Sequence, residues 1–299
     1  YAEVDGTSTD STWADSGIRL TVSKVTSVEY GETYSTSPVR TWRSTNIMAA
    51  TNRLPQVANA VITYVGGLGN AQWLSVVDAS QNSNNPCVAG VEAGHAVGGA
   101  YSGAQQAGAA SKAVTVPQGT LLLDSNTYAV CYAAGDGSTG DSTWRDSYVR
   151  LKISKMLSIS SHLVAHRTNG QIASVGGAYQ AWDGNAYATV SVADLELTYA
   201  GSLGNQMWVS LVDQTLNSNQ PCALGSAAAG SAGSGYSGVL AAASGNKVLT
   251  VDTLVMSSVV TFAVCYAMIN GTSTDSTWAD SGIRLTVSKV TSVEYGETY

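Results

Sequence analysis

The residues best suited to chemistry are acidic side chains in a loop that occurs three times along the chain. The loop has the pattern D-S-T-W-x-D-S, and it carries Asp10 and Asp15, then Asp141 and Asp146, then Asp275 and Asp280. Carboxylates on turns at the end of a sheet can bind Ca²⁺, which takes about six to eight oxygen ligands. The simpler interpretation is that the Asp and Ser side chains cap their own turn. The second Asp then shares a strand face with Arg19, Arg150 or Arg284. We therefore expect no cofactor, with calcium as the alternative.

Other catalytic or metal-binding patterns are weaker. Of the three histidines, only His162 and His166 are close in sequence, and no HExxH motif accompanies them. Gly233, Gly235 and Gly238 satisfy GxGxxG, but they lie in a loop of small residues, whereas a dinucleotide site needs a strand before the motif and a helix after it. No serine has glycine two residues away on both sides, as a hydrolase elbow requires. We expect a protein that is not an enzyme.

Two features point to carbohydrate. The Trp of each loop (Trp13, Trp144 and Trp278) could offer a flat surface for sugars, although a Trp between a turn and a strand more often plugs the end of a β-sandwich. One N-glycosylation sequon occurs, at Asn270-Gly271-Thr272, and its copy near the start of the chain has Asp5 instead. We predict that Asn270 is a glycosylation site and keep glycans as candidate partners.

Internal repetition predicts the architecture that must position these loops. Residues 6–34 recur without change as residues 271–299, a period of 265 residues, and a diverged copy begins at Tyr132. Upstream, residues 64–78 match residues 199–213, so two similar domains follow each other. We expect a window onto a longer tandem array; the alternative is that one end of the sequence has been duplicated.

The pattern within each repeat is typical of strands. In Tyr148–Ser154, the apolar residues Val149, Leu151 and Ile153 alternate with polar ones, and Ile18, Leu20 and Val22 alternate in the same way. Gly, Asn, Asp and Ser cluster between such segments, as turns require. We predict an all-β protein of tandem antiparallel sandwiches. Its expected parts are terminal strands of a preceding domain at 1–30, domains at 31–156 and 157–293, and the start of the next linker at 294–299.

The four cysteines form one pair in each predicted domain. Cys87 and Cys131 are 44 residues apart, Cys222 and Cys265 are 43 apart, and no CxxC motif suggests a metal site. Two disulfides within the domains are the economical interpretation, and four free thiols in a reducing compartment are the alternative.

A resemblance to immunoglobulin-like domains rests on a Trp in one strand of each domain, Trp73 and Trp208, and on the late segments Tyr128–Tyr132 and Phe262–Tyr266. The first Cys of each pair follows the Trp strand here, whereas in that family it precedes it, so the resemblance implies only the general sandwich. The tandem arrangement is also similar to extracellular fibril and pilus proteins of aquatic microbes, which stack such domains into filaments. Some of those proteins lend a strand to a neighbouring subunit.

Composition limits the partners. Charged residues make up 12% of the chain and the net charge is −7 without a basic run, so nucleic acid is an unsuitable partner. No apolar stretch is long enough to cross a membrane as a helix. We therefore predict a structural unit of an extracellular or cell-surface filament that pairs with copies of itself, with Ile18, Leu20 and Val22 packing against a neighbour. A cell-surface adhesin or carbohydrate-binding stalk is the alternative.

Overall fold

The computed structural model describes residues 1–30, 40–43, 52–161, 164–175, 178–182, 187–191 and 194–289. We use domain A for residues 25–154 and domain B for residues 156–289. The elements of domain A are β1 (Ser27–Tyr30), β2 (Arg40–Arg43), β3 (Arg53–Pro55), β4 (Ala60–Val65), β5 (Trp73–Asp78), α1 (Gln81–Asn84), α2 (Gly90–Ala93), β6 (Gln105–Gln106), β7 (Ala113–Val116), β8 (Thr127–Ala133) and β9 (Arg145–Ser154).

Domain B repeats this order and adds one hairpin. Its elements are β10 (Met156–Ser161), β11 (Val164–His166), β12 (Asn169–Ala173), β13 (Ala178–Trp182), β14 (Tyr187–Ser191), β15 (Leu195–Gly201), β16 (Trp208–Asp213), α3 (Leu216–Asn219), α4 (Gly225–Ala228), β17 (Tyr236–Ala241), β18 (Val248–Val251), β19 (Thr261–Ala267) and β20 (Ala279–Ser288). The hairpin β13–β14 has no counterpart among the described elements of domain A.

Each domain consists of two sheets that enclose one core. In domain A the sheet orders are β2-β1-β4-β7 and β3-β9-β8-β5-β6, and in domain B they are β11-β10-β15-β18 and β12-β20-β19-β16-β17. Apolar residues from both sheets meet in one cluster in each domain; Val28, Ile62 and Leu151 belong to that of domain A. The mostly β prediction is therefore confirmed. The pairing is not wholly antiparallel, because β3 runs parallel to β9 and β12 runs parallel to β20.

The strand before the acidic loop is apolar on both faces. In β8, Tyr128, Val130 and Tyr132 point into the core between the sheets, whereas the small residues between them point to the outer face, where they join a second cluster with Trp144. The same alternation of large and small residues occurs in β19. Small side chains on the outer face leave room for a covering loop, so the alternation fits a strand that is buried on both sides.

Both predicted disulfides are formed, and they lie in these outer clusters. Cys87 is bonded to Cys131 of β8, and Cys222 is bonded to Cys265 of β19. Each bond therefore ties a covering loop to the outer face of the five-stranded sheet and does not bridge the two sheets. This placement explains why the first Cys follows the Trp strand in the sequence.

Two predicted boundaries need correction. Residues 25–30 belong to domain A and not to a preceding domain, because β1 pairs with β4 and the apolar Val25 and Val28 are buried in the domain A core. Met156, predicted to end the first domain, begins strand β10 and is buried in the domain B core, so Lys155 alone joins the domains. The predicted boundary at 293 and the predicted start of the next linker at 294–299 lie outside the described residues.

We predict that each disulfide stabilises its own domain. Replacing both Cys87 and Cys131 by Ala should lower the free energy of unfolding of domain A by about 3–4 kcal/mol, because the unfolded chain is then no longer closed into a loop. Denaturant titration should show this loss in one transition only. The matched pair Cys222→Ala and Cys265→Ala should affect domain B alone; a loss shared equally by both domains would contradict the confinement of each disulfide to its own domain.

Candidate functional site

The first Asp of each acidic loop holds the loop closed. In domain B, Asp275 Oδ2 accepts hydrogen bonds from the backbone N–H groups of Asn270 (2.7 Å) and Gly271 (2.8 Å), and its Oδ1 accepts the amide (2.8 Å) and hydroxyl (2.6 Å) of Thr277. Burial would raise the pKa of Asp275, but these hydrogen bonds outweigh it and the pKa lies well below its ordinary value. Asp10 and Asp141 make the corresponding bonds in their loops.

The second Asp of each loop pairs with the arginine four residues later. Asp15 binds Arg19, Asp146 binds Arg150, and Asp280 binds Arg284 through both guanidinium nitrogens, at 2.6–2.9 Å. The two aspartates of a loop thus have different hydrogen-bond donors and do not converge on one point. Among the described residues, no group of three or more His, Cys, Asp or Glu side chains could hold a metal ion. The geometry supports the turn and ion-pair interpretation of these six aspartates.

The three ion pairs differ in exposure. The Arg and Asp side chains are 74% and 63% exposed in the first copy, 16% and 17% in domain A, and 6% and 1% in domain B. Burial would raise the pKa of Asp280, but the positive charge of Arg284 outweighs it and the pKa is lowered. The same D-S-T-W-x-D-S motif therefore forms the same pair in three environments, and only the last is sealed from solvent.

The Trp of the loop is buried in both domain copies and exposed in the first copy. Its indole N–H donates to a backbone carbonyl in all three copies, at 2.8–2.9 Å. Trp144 is 1% exposed and Trp278 is 7% exposed, each packed beside its disulfide, whereas Trp13 is 56% exposed. The two domain copies plug the outer face of the sheet, and Trp13 lacks a sheet to plug.

The joint between the domains is built around Lys155. Its backbone N–H donates to the Tyr266 hydroxyl (3.1 Å), and its carbonyl accepts the amide of Leu203 (2.9 Å), both in domain B. Its ammonium lies 3.2 Å from a carboxylate oxygen of Asp124 in domain A and 3.3 Å from Met268 Sδ in domain B. The backbone of Lys155 therefore contacts domain B, and its side chain contacts both domains.

Further contacts close the joint on its other side. The Ser202 hydroxyl of domain B donates to Gln56 Oε1 of domain A at 2.5 Å. Arg53 of β3 lies beside Asp280 and Arg284 of β20; burial lowers the pKa of its guanidinium, and the Asp280 carboxylate opposes that effect. Domain A therefore covers the ion pair of domain B and seals it from water.

Two glycines of domain B permit this close approach. Gly282 has φ +82°, and a Cβ there would stand 2.9 Å from Cβ of Arg53. Gly201 has φ +125°, and a Cβ there would meet the carbonyl oxygen of Lys155. Both positions combine a left-handed backbone with a crowded neighbour, which only glycine tolerates. In domain A the counterpart of Gly282 is Tyr148, which is exposed.

The same joint begins domain A. The N–H of Lys24 donates to the Tyr132 hydroxyl (3.0 Å), and its carbonyl accepts the amide of Leu68 (3.0 Å), as Lys155 does with Tyr266 and Leu203. Before this joint, however, residues 14–23 form no strand. Ile18, Leu20 and Val22 are 69%, 90% and 88% exposed, whereas their counterparts in β9 and β20 are buried.

The remaining predicted residues do not converge on a site. His95 is exposed and stacks on Tyr101, His166 is buried in β11, and His162 lies outside the described residues. Of the GxGxxG glycines, Gly233 and Gly235 precede strand β17 and Gly238 lies within it, so the motif is followed by a strand and not by a helix. Asn270 is exposed, with its Oδ1 accepting from the amide and hydroxyl of Thr272, and its glycosylation stays a prediction.

Comparison with known proteins does not place the chain in a family. It matches no protein-family model, and no curated protein is similar to it in sequence. In the part of the chain that the structure describes, no helix is long and apolar enough to cross a membrane. The two disulfides indicate an oxidising compartment outside the cytoplasm.

Sequence reasoning missed the joint residues Lys155, Arg53, Gln56 and Ser202. A signal for the first was present, because a Ser-Lys pair occurs at the same place in all three copies of the repeat, at residues 23–24, 154–155 and 288–289. Nothing comparable marks the other three, whose contacts form only when two domains meet.

The graded ion pairs predict graded effects of one substitution. Arg284→Met should lower the free energy of unfolding of domain B by about 3–5 kcal/mol, because it leaves a buried, uncompensated carboxylate. Arg150→Met should cost domain A less, and Arg19→Met should leave both domains unchanged. Denaturant titration of the three variants checks the order; equal losses would contradict the role of domain A in sealing the pair.

The loop aspartates provide a second matched comparison. Asp275→Ala should destabilise domain B by about 1–3 kcal/mol, because buried amides lose their acceptor. Asp10→Ala removes the same bonds from an exposed loop and should change neither unfolding transition. Since the pKa of Asp275 is lowered from 3.8 in the folded state, its contribution is present above that pH and is lost as the pH falls further. An Asp275→Ala variant that unfolds like the wild type would contradict this role.

Proposed function

We propose that this chain is a structural repeat unit of an extracellular filament, built from tandem immunoglobulin-like sandwiches that join end to end through β-strand pairing. The observation that carries the proposal is the joint at Lys155. One residue separates the last strand of domain A from the first strand of domain B, and both domains contact that residue. A link this short holds the two domains at a fixed angle, and a fixed angle repeated along an array produces a regular filament.

The repetition of the joint supports the same proposal. Lys24 lies just before domain A and donates its backbone N–H to a tyrosine hydroxyl, as Lys155 does just before domain B. A domain that precedes domain A could therefore join it through the same kind of one-residue link. The partner in this proposal is another copy of the chain. The low charge, the absence of a basic run and the disulfides fit an extracellular location.

We also propose that the protein is not an enzyme. Its repeated polar groups are used in holding loops closed and in pairing aspartate with arginine, as Asp275 and Asp280 show. An N-linked glycan on the exposed Asn270 is part of the proposal, since that residue lies on a turn at the end of domain B.

We expect electron microscopy of native material to show regular fibres in which successive domains hold a constant angle. Fibres should keep this regularity in a variant with Lys155→Ala, which retains a one-residue link, and should lose it when a flexible Gly-Ser-Gly-Ser insertion follows Lys155. Isolated stalks or freely jointed beads in the native material would contradict the filament and favour an adhesin.

A further inference from the structure

Residues 14–23 form no strand, and their apolar side chains Ile18, Leu20 and Val22 are exposed. The counterpart of this segment in domain B is β20, which lies between β12 and β19 with both backbone edges paired. The counterparts of Ile18, Leu20 and Val22 there are Ile283, Leu285 and Val287, all buried in the core. A row of unpaired backbone groups beside such a face is a template for pairing with another chain.

The sequence identifies the sheet into which residues 14–23 would fit. Residues 6–34 are identical to residues 271–299, so every side chain that β20 places in domain B is also present in residues 14–23. We infer that residues 14–23 of one copy replace β20 in domain B of a second copy. This inference rests on the proposed end-to-end assembly and names its donor strand, its acceptor and its register.

The register follows from the pairing of β20. Phe262 faces Leu285, and Ala263 faces Arg284, across the antiparallel edge, so in the exchanged state Phe262 faces Leu20 and Ala263 faces Arg19. On the parallel edge Ile172 faces Val287 and then faces Val22. Trp13 enters the outer cluster that Trp278 occupies, beside the disulfide of the second copy.

The loop that precedes the donor segment already has the conformation of its counterpart in domain B. Asp10 makes the hydrogen bonds of Asp275, Trp13 donates to Thr7 as Trp278 donates to Thr272, and the Asp15–Arg19 pair is formed. The backbone of Tyr1 also pairs with Ala14, as Tyr266 pairs with Ala279. A preformed loop reduces the conformational entropy lost on binding.

Domain A of the donor copy also has the features that such a joint requires. After residue 23 the donor enters domain A through Lys24, which is already held by Tyr132. The Asp146–Arg150 pair of domain A is only partly covered, whereas domain A seals the corresponding pair in domain B. In the exchanged assembly, domain B of the second copy precedes domain A and covers this pair.

The test weakens strand β20 of the acceptor domain B and leaves the donor residues 14–23 unchanged. Leu285→Asp places a charge in the domain B core and weakens β20, so the unchanged segment 14–23 of another copy should replace it. Light scattering should then show masses that rise with concentration from 30.8 kDa to multiples of it. Adding Leu20→Asp should return the protein to a single copy. Adding Thr21→Asp instead should not, because the counterpart Thr286 is only half-buried.

Hydrogen exchange separates strand exchange from misfolding. In Leu285→Asp the two repeated segments differ by one residue, so their peptides can be told apart by mass. Amides of residues 14–23 should become protected on assembly while those of 279–288 lose protection. A monomeric Leu285→Asp variant, or large particles that form regardless of Leu20, would overturn the inference.

The outcomes also separate this inference from the filament proposal. Native fibres that persist unchanged with Leu20→Asp would overturn the exchange and leave the filament standing. If Leu285→Asp shows strand exchange but the native material contains no fibres, the exchange would be supported and the filament proposal would be contradicted.

Discussion

The last strand of each domain occupies an interior place in its five-stranded sheet, and the other features of the molecule depend on this constraint. β20 has neighbours on both edges, so its backbone hydrogen bonds and its apolar face are completed by the rest of domain B. β9 holds the same place in domain A and leads after one residue into β10. Core packing in one domain is thereby connected to the position of the next, because the strand that fills the core also sets where the following domain begins.

Two identical segments of the chain show which parts of this arrangement are local. Residues 6–13 and 271–278 form the same aspartate-capped loop, although one is exposed and the other is packed on a sheet. The following residues form a strand only in domain B, where a sheet receives them. Hydrogen bonds between near neighbours need no tertiary support, whereas an isolated strand cannot bury its apolar face.

This difference explains which features could be predicted from the sequence and which could not. The two-fold repetition, the mostly β fold, the cysteine pairs and the pairing of Asp280 with Arg284 follow from spacing and alternation along the chain. The parallel edge strands β3 and β12 could not be predicted, because a short apolar segment does not indicate which edge it will join. The contact between Gln56 and Ser202 and the burial of Arg53 depend on the angle between two domains, which no local pattern encodes.

The position of the disulfide has a consequence for a domain under tension. Pulling on the two ends of domain A applies force to β1 and β9, and β9 lies directly beside β8, where Cys131 is anchored. If β9 is torn away, the chain between Cys87 and Cys131 stays closed by its covalent bond. An extended chain spans roughly 3.4 Å per residue. The segment between the two cysteines cannot extend while the disulfide is intact, so each ruptured domain lengthens by about 150 Å less than it would without the bond. A stretched thread of such domains would therefore lengthen in short, bounded steps.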